Sequence, residues 1–181
     1  MNVGRDIDRK MLMEMSKGEL VELLLAQMRN LWAVDGLYFL GIEERHGTES
    51  ATNIDGDVWR IMGKIEARRL KETLKVDDKD IPTMIGALRH SSWSLDSENK
   101  DVAVETDVAI FRNTACRVQQ TRAKKGLSEF PCKRVRLGYL KSFAEEFNPK
   151  IEVKCNVCPP DEHPENLWCE WEFSYRKEQT R

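Results

Sequence analysis

Apolar side chains in the N-terminal half of the chain recur at steps of three and four residues, which is the period of an α-helix. Ser16 and Glu19 form a capping-box pattern, so the helix is predicted to begin there. It is predicted to end near His46 and Gly47, because glycine suits a helix C-cap. The positions predicted to form its buried face are Leu20, Leu24, Met28, Leu31, Tyr38 and Ile42.

The same period and suitable boundary residues predict three further helices. The second covers residues 55–74, and the third covers 80–90, with Pro82 tolerated in its first turn. The fourth covers 130–147 and is stopped by the Asn-Pro pair that follows it. The predicted buried side of the second helix consists of Val58, Met62, Ile65 and Leu70, with Trp59 at its edge.

Alternating apolar and polar residues indicate β-strands in the C-terminal half. The clear runs are 102–110, 151–155 and 167–175, and a weaker strand is predicted at 93–95. Residues 116–118 are expected to continue the sheet after a break. Helices therefore come first, followed by one helix embedded in an antiparallel sheet, which is typical of the α+β class.

These elements fit one domain with short additions at both ends. Residues 16–176 are predicted to form a single α+β domain, with a helical part at 16–91 and a sheet part at 92–176. Residues 1–15 are interpreted as a flexible or dimer-forming arm, and residues 177–181 as a polar tail.

The composition limits the binding partners and the cellular compartment that we expect for this chain. The 181 residues are 33% charged and 40% hydrophobic, with a net charge of −2, so no overall field recruits nucleic acid. No apolar run approaches the roughly 20 residues that span a bilayer, and the N-terminus is too polar for a secretory signal. With five cysteines and no export signal, we expect reduced thiols and a cytoplasmic location.

The densest chemistry lies near the C-terminus, where thiols and an imidazole are closely spaced. Cys155, Cys158, His163 and Cys169 offer four ligands of the kind that tetrahedral zinc prefers, and Cys132 is an alternative to His163. Prolines stiffen the connector in place of the glycines of a zinc knuckle. The thiols could also only pack, because free cysteine is among the most buried residue types.

Cys132 is the candidate catalytic nucleophile. It lies in the first turn of a predicted helix, and the basic residues 133, 134 and 136 follow it. A helix N-terminus and nearby cations both lower a thiol pKa. A general base would have to come from His46, His90 or His163, and no spacing rule places any of them beside the thiol.

A candidate binding site lies on the N-terminal helices. Asp35 falls on the apolar stripe beside Gly36, and a buried carboxylate must be paired or protonated. Glu66 and Arg69 are three residues apart, so they can pair with each other or reach Asp35. Structural ion pairs explain these residues as well as ligand contacts do. The aromatic residues predicted to wall the pocket are Trp32, Tyr38 and Trp59.

Two patterns resemble known families. The C-terminal pattern is Phe130-Pro131-Cys132, Gly138, Phe143-Ala144-Glu145, Cys155, Cys158 and Cys169 before an aromatic strand. It resembles four-vinyl-reductase-like small-molecule-binding domains and proteins grouped around L-2-amino-thiazoline-4-carboxylate hydrolase. The N-terminal pattern, Leu31 to Phe39, Glu43-Glu44, Gly47, Val58-Trp59 and Glu66 to Arg68, resembles a set of prokaryotic cytosolic proteins.

The resemblance implies helices packed on a twisted antiparallel sheet, a dimer, and a pocket for a small molecule. The heme-sensor signature of related folds is not evident, so heme is not expected, and the chain has no nucleotide-cofactor motif. The leading hypothesis is a small-molecule-binding domain with a structural zinc site. One alternative is a hydrolase of a small cyclic C–N or C–S compound, which would use Cys132 or a metal-bound water. Another is a structural homodimer. That dimer would bury Met11, Leu12, Met13 and Met15.

Overall fold

The computed structural model describes residues 3–97 and 99–176, which form an α+β fold. The predicted fold class is confirmed, and the predicted tail at 177–181 lies outside the described residues. The helices are α1 (Val3–Met13), α2 (Lys17–Leu74), α3 (Ile81–Leu88), α4 (Ser92–Asp96), α5 (Arg117–Lys124) and α6 (Cys132–Phe147). The strands are β1 (Lys100–Val104), β2 (Val108–Asn113), β3 (Ile151–Val157) and β4 (Cys169–Tyr175).

Helix α2 is a helical hairpin. At Gly47 the backbone has φ 80° and ψ 162°, which is not helical and lies where glycine is favoured. The arms 17–46 and 48–74 fold back on each other, so the rings of Trp32 and Trp59 stack 4.7 Å apart. The predicted break at Gly47 is confirmed, and so is the capping box at Ser16. The second arm begins directly after Gly47, several residues before the predicted start at 55.

The predicted buried sides of the two arms are only partly correct, because Met62 and Leu70 pack against the core as predicted but other positions do not. Trp32 and Phe39 are buried on the first arm, whereas Leu31 and Tyr38 are exposed. On the second arm Trp59 is only 4% exposed, although its neighbour Val58 is 56% exposed. Both arms carry apolar residues on two faces, so the helical period alone does not identify the face that the core covers.

Helix α6 lies between the α2 hairpin and the sheet, so it is the centre of the core. It crosses the second arm of α2 at Gly63, where a Cβ atom would lie 2.4 Å from the carbonyl oxygen of Tyr139. No larger residue fits there without movement of the helices. The start of α6 at Cys132 and its end before Asn148 agree with the prediction.

The sheet is antiparallel throughout, in the order β1-β2-β4-β3. Phe111 of β2 pairs with Trp171 of β4, and both side chains are fully buried. The alternate residues Glu170 and Glu172 of β4 lie on the opposite, more polar face. The predicted alternation of the last strand is therefore confirmed.

Three predictions for the strands are wrong. The run 102–110 is not one strand but the hairpin of β1 and β2. Residues 93–95 lie in helix α4, where the Ser91 side chain caps the N-terminus. Residues 116–118 do not continue the sheet, because α5 begins at Arg117. Within the described residues, no helix combines the length and the apolar character needed to cross a lipid bilayer.

Candidate functional site

A cavity of about 570 Å³ lies between the first arm of α2, the region around α5 and the start of α6. This volume is within the range of roughly 300–1,000 Å³ typical of small-molecule sites. Apolar and aromatic side chains make up much of its wall, including Trp32, Trp59 and Trp93. Its polar groups include Asp35, Asp55 and Arg136, which come from three different segments. We therefore treat this cavity as the candidate functional site.

Arg136 is the most unusual group in the cavity wall. It is only 5% exposed, and its Nε and Nη1 atoms have no hydrogen-bond partner among the described residues. Four aromatic rings surround the guanidinium. The Cζ atom lies 4.9 Å from the ring centroid of Tyr139, 5.1 Å from Trp93, and 5.3 Å from both Trp32 and Trp59. Ring faces attract a cation, but they are weak acceptors for N–H groups.

Asp35 and Asp55 form a carboxyl pair in the same wall. The two side chains hydrogen-bond to each other, and the Nε1 atom of Trp59 donates to Asp35 at 2.9 Å. Burial and the charge of Asp35 raise the pKa of Asp55 to about 7, although the positive charge of Arg136 opposes this. Burial also raises the pKa of Asp35, against the effects of Trp59 and Arg136. The pair can therefore hold one proton near neutral pH.

A second buried arginine in the cavity wall has a complete set of partners. Arg122 binds Glu43 through two hydrogen bonds of 2.9 Å, and its Nε atom donates to the carbonyl oxygen of Ser128. This bidentate pair ties α5 to the first arm of α2. The contrast shows that Arg122 has a structural role, whereas Arg136 is held in the wall without an anionic partner of this kind.

The thiols come together beside the cavity. All five cysteines are free, and the thiol of Cys158 hydrogen-bonds those of Cys132, Cys155 and Cys169. Cys158 is fully buried, and these contacts together with burial raise its pKa strongly. The hydrogen bond from Cys158 is the main cause that lowers the pKa of Cys155, and it lowers that of Cys169 to about 7. Because Cys158 has a single S–H proton to donate, the cluster favours thiolate on either Cys155 or Cys169 at one time.

Two further groups support negative charge on Cys169. The Nδ2 atom of Asn113 donates to its sulfur at 3.3 Å. The indole of Trp171 also lies beside this sulfur, but its Nε1 atom has no hydrogen bond of good geometry within the described chain. Cys116 lies nearby in the cavity wall, and burial followed by the charge of Cys132 raises its pKa to about 12.

The structure places His163 away from the thiol cluster. Its Nε2 atom is 3.3 Å from Glu129, its Nδ1 atom is 3.0 Å from the carbonyl oxygen of Pro164, and its ring contacts Trp168. These contacts, with the Pro164 carbonyl first, raise its pKa. Cys132, the predicted alternative, lies with Cys155, Cys158 and Cys169 instead. Across residues 3–97 and 99–176, no group of three or more His, Cys, Asp or Glu residues is arranged to hold a metal ion.

The predicted ligand-binding residues divide into two sets. Trp32, Asp35 and Trp59 line the cavity, so the structure brings them together as expected. The other three, Tyr38, Glu66 and Arg69, are absent from the cavity wall.

Each of those three has a different environment. Tyr38 is 73% exposed and points away from the core. Glu66 is buried, but its carboxylate accepts from the Ser92 amide at 2.6 Å and from the Tyr139 hydroxyl at 2.7 Å. Arg69 is exposed, and within the described chain it makes no ion pair with Glu66. The structural interpretation of Glu66 therefore holds, because its contacts fix α4 and α6 to α2.

Arg136 and Asp55 line the cavity, although the sequence pattern does not identify them as cavity residues. The pattern indicates only a cation near Cys132 for Arg136 and only the start of a helix for Asp55. Arg136 is three residues before Tyr139 on the buried side of α6, so its position on the apolar stripe was a usable signal. The approach of Asp55 to Asp35 depends on the reversal at Gly47, which spacing alone does not reveal.

Comparisons with known proteins identify a family. No curated protein and no solved structure matches the chain. The model of a family of unknown function, DUF6125, matches residues 12–175, which include the α2 hairpin, α6 and the whole sheet. The chain therefore belongs to the DUF6125 family.

Proposed function

We propose that the protein binds a small organic molecule in the cavity and that Arg136 holds an anionic group of this ligand. The observation that carries the proposal is Arg136, a buried residue in the wall of a 570 Å³ cavity whose Nε and Nη1 atoms have no hydrogen-bond partner among the described residues. A buried charge without a hydrogen-bonding partner is costly, so a bound carboxylate would relieve that cost. The Trp32, Trp59 and Trp93 rings would cover the apolar part of the ligand.

The charges of the wall also fit a weakly acidic ligand. Asp35 and Asp55 with one shared proton carry one negative charge, and Arg136 offsets it. When both carboxyl groups are ionised, they repel an added carboxylate, and uptake of a proton by Asp55 reduces this repulsion. Anion binding is therefore expected to strengthen as the pH falls through about 7.

Native mass spectrometry of the purified protein tests the proposal directly. We expect wild-type protein to carry a bound small molecule, and Arg136→Met to lose it. Lys125→Met is the matched control, because Lys125 also lines the cavity but is exposed. Thermal-shift titration with aliphatic and aromatic monocarboxylates is the second measurement. Stabilisation that is equal in wild-type protein and Arg136→Met would contradict the proposal, and so would no binding in either experiment.

We further propose that the cluster of Cys132, Cys155, Cys158 and Cys169 takes up a thiophilic metal such as zinc as a structural clamp. The favouring observation is the hydrogen bonding of three of these thiols to Cys158, with Asn113 donating to Cys169. Amide N–H groups that face sulfur stabilise thiolate, the form that binds metal. The thiols would rearrange around the ion, and reduced thiols fit the expected cytoplasmic location.

Metal analysis of untagged protein tests this clamp. We expect about one equivalent of zinc in wild-type protein and in His163→Ala, and a loss of most of it in Cys158→Ser. Less than about 0.1 equivalent in wild-type protein after incubation with zinc would exclude the clamp. Equal loss in His163→Ala and Cys158→Ser would instead favour the ligand set that includes His163.

The alternative function is hydrolysis of a small cyclic C–N or C–S compound by Cys132. Its favouring observation is that Cys132 lines the cavity at the N-terminus of α6. Timed alkylation by iodoacetamide at pH 6, with mapping of the modified cysteine, tests it. If Cys132 reacts no faster than a free cysteine, the thiolate nucleophile is excluded.

A further inference from the structure

We propose that the outer face of the α2 hairpin is the interface between two copies of this chain. The outer face is a set of seven large apolar residues on the two arms, all exposed to solvent in the monomer. The first arm contributes Leu31, Val34, Leu37 and Tyr38, and the second contributes Ile54, Val58 and Ile61. The face adjoins the ligand cavity, because Leu37 belongs to both, whereas the other six residues are absent from the cavity wall.

The two sets of residues lie side by side. The arms are antiparallel, and the contacts of Trp32 and Asp35 with Trp59 fix which positions face each other. Leu31 is adjacent in sequence to Trp32, and Val58 is adjacent to Trp59, on the side that turns away from α6. Within each arm the exposed residues recur at steps of three and four, so each set forms one stripe. The stripes therefore flank the same seam of the hairpin.

The exposure of this face is large. Tyr38 is 73% exposed, Leu37 is 69% exposed, and the least exposed member, Leu31, is still 38% exposed. At roughly 100 Å² for each such side chain, the face presents about 700 Å² of apolar-rich surface, close to the roughly 800 Å² that each partner contributes to a standard interface. A helix that is apolar on opposite faces is normally covered on both.

The rim of the face favours a second copy over a lipid surface. Acidic and basic residues both border it, with Glu44 and Arg45 on the first arm and Asp57 on the second. A helix that lies on an anionic membrane instead carries mainly lysine and arginine on its polar side. A rim with both signs is able to complement itself about a two-fold axis, which is the commonest symmetry of homo-oligomers. Two hairpins packed in this way would form a four-helix bundle.

Analytical ultracentrifugation of the full chain tests the interface. We expect wild-type protein to be dimeric at micromolar concentration. Val58→Glu and Ile61→Glu are expected to raise the dimer dissociation constant at least about a hundredfold, because a two-fold interface would bury each unpaired carboxylate twice. The matched control is Val104→Glu, which makes the same change at a 42% exposed valine of β1. Circular dichroism confirms that each variant is folded.

The remaining outcomes each overturn the proposal. A monomeric wild-type protein would do so, and so would dimers that survive both Val58→Glu and Ile61→Glu. Dissociation by Met11→Glu, with no effect of Val58→Glu, would place the contact on α1 instead. Flotation of monomeric protein with vesicles of phosphatidylcholine and phosphatidylglycerol would identify the face as a lipid contact.

Discussion

The inner and outer faces of the α2 hairpin both carry large apolar side chains, but within the described residues the core covers only the inner face. On the inner face Trp32 and Trp59 stack on each other and pack against Tyr139 of α6. On the outer face their sequence neighbours, Leu31 and Val58, are exposed. This difference shows that helical periodicity indicates an apolar face but does not indicate which part of the protein covers it. Mutations at neighbouring positions can therefore separate stability of the monomer from assembly.

The largest expected difference is between Trp59→Ala and Val58→Ala. Trp59 is 4% exposed and donates a hydrogen bond to Asp35, so its removal leaves a cavity and takes one donor from the Asp35 carboxyl group. We expect a loss of about 3–5 kcal/mol in the free energy of unfolding. Val58→Ala is expected to cost less than about 0.5 kcal/mol in dilute protein. Urea unfolding followed by circular dichroism measures both, and similar losses would mean that the two faces do not differ in burial.

The next largest effect is the pH dependence conferred by Asp55. Its pKa is about 7 in the folded protein, against an ordinary value of 3.8, so the folded state keeps a proton that the unfolded state releases. Stability is then fully present below pH 4 and is lost as the pH rises through 7, by at most on the order of 4 kcal/mol. Asp55→Asn should make this decline shallower in urea unfolding measured between pH 4 and pH 8.

Asp57 provides the control for this prediction. It lies two residues further along the same arm, and its side chain is 76% exposed. Asp57→Asn should leave the pH profile of stability as it is in wild-type protein. If Asp55→Asn and Asp57→Asn gave the same profile, the carboxyl pair with Asp35 would not be the cause of the decline.

Much of the element order could be predicted from sequence, because local signals decide it. The Ser16 capping box, the glycine at position 47 and the Asn148-Pro149 stop all act within a few residues of the boundary they set. The failures occurred where two local patterns competed. Residues 93–95 alternate like a short strand, but the Ser91 side chain accepts from the Ser94 amide and starts a helix. Such a cap is a stronger signal than three alternating residues.

The candidate site was harder to predict, because its members are distant in sequence. Trp32, Asp35 and Trp59 were found from their positions on helices, yet Asp55 reaches Asp35 only because the chain reverses at Gly47. The thiol cluster shows the same limit. Cys155 and Cys158 are near each other in the local CxxC pattern, whereas the position of Cys132 beside them depends on how α6 packs against β3.

Glu66 and Arg69 allow the same comparison of a buried and an exposed position to be made with polar residues. Glu66→Ala would leave the Ser92 amide and the Tyr139 hydroxyl without their acceptor inside the core, at a cost of about 1–3 kcal/mol. Arg69→Ala on the exposed side of the same arm is expected to change stability by less than about 0.5 kcal/mol. Urea unfolding of both variants checks this. A large loss in Arg69→Ala would show that Arg69 has a stabilising contact, contrary to the structural interpretation.

The smallest contrast uses two glycines of the hairpin, Gly63 and Gly36. A Cβ atom at Gly63 would lie 2.4 Å from the backbone oxygen of Tyr139, so Gly63→Ala must push α6 away from α2, and we expect a loss of about 1–3 kcal/mol. A Cβ atom at Gly36 would meet nothing within 4 Å. Because alanine favours the helix, Gly36→Ala should gain about 0.5–1 kcal/mol. Thermal unfolding measures both variants, and a stabilising Gly63→Ala would mean that the two helices are not in close contact there.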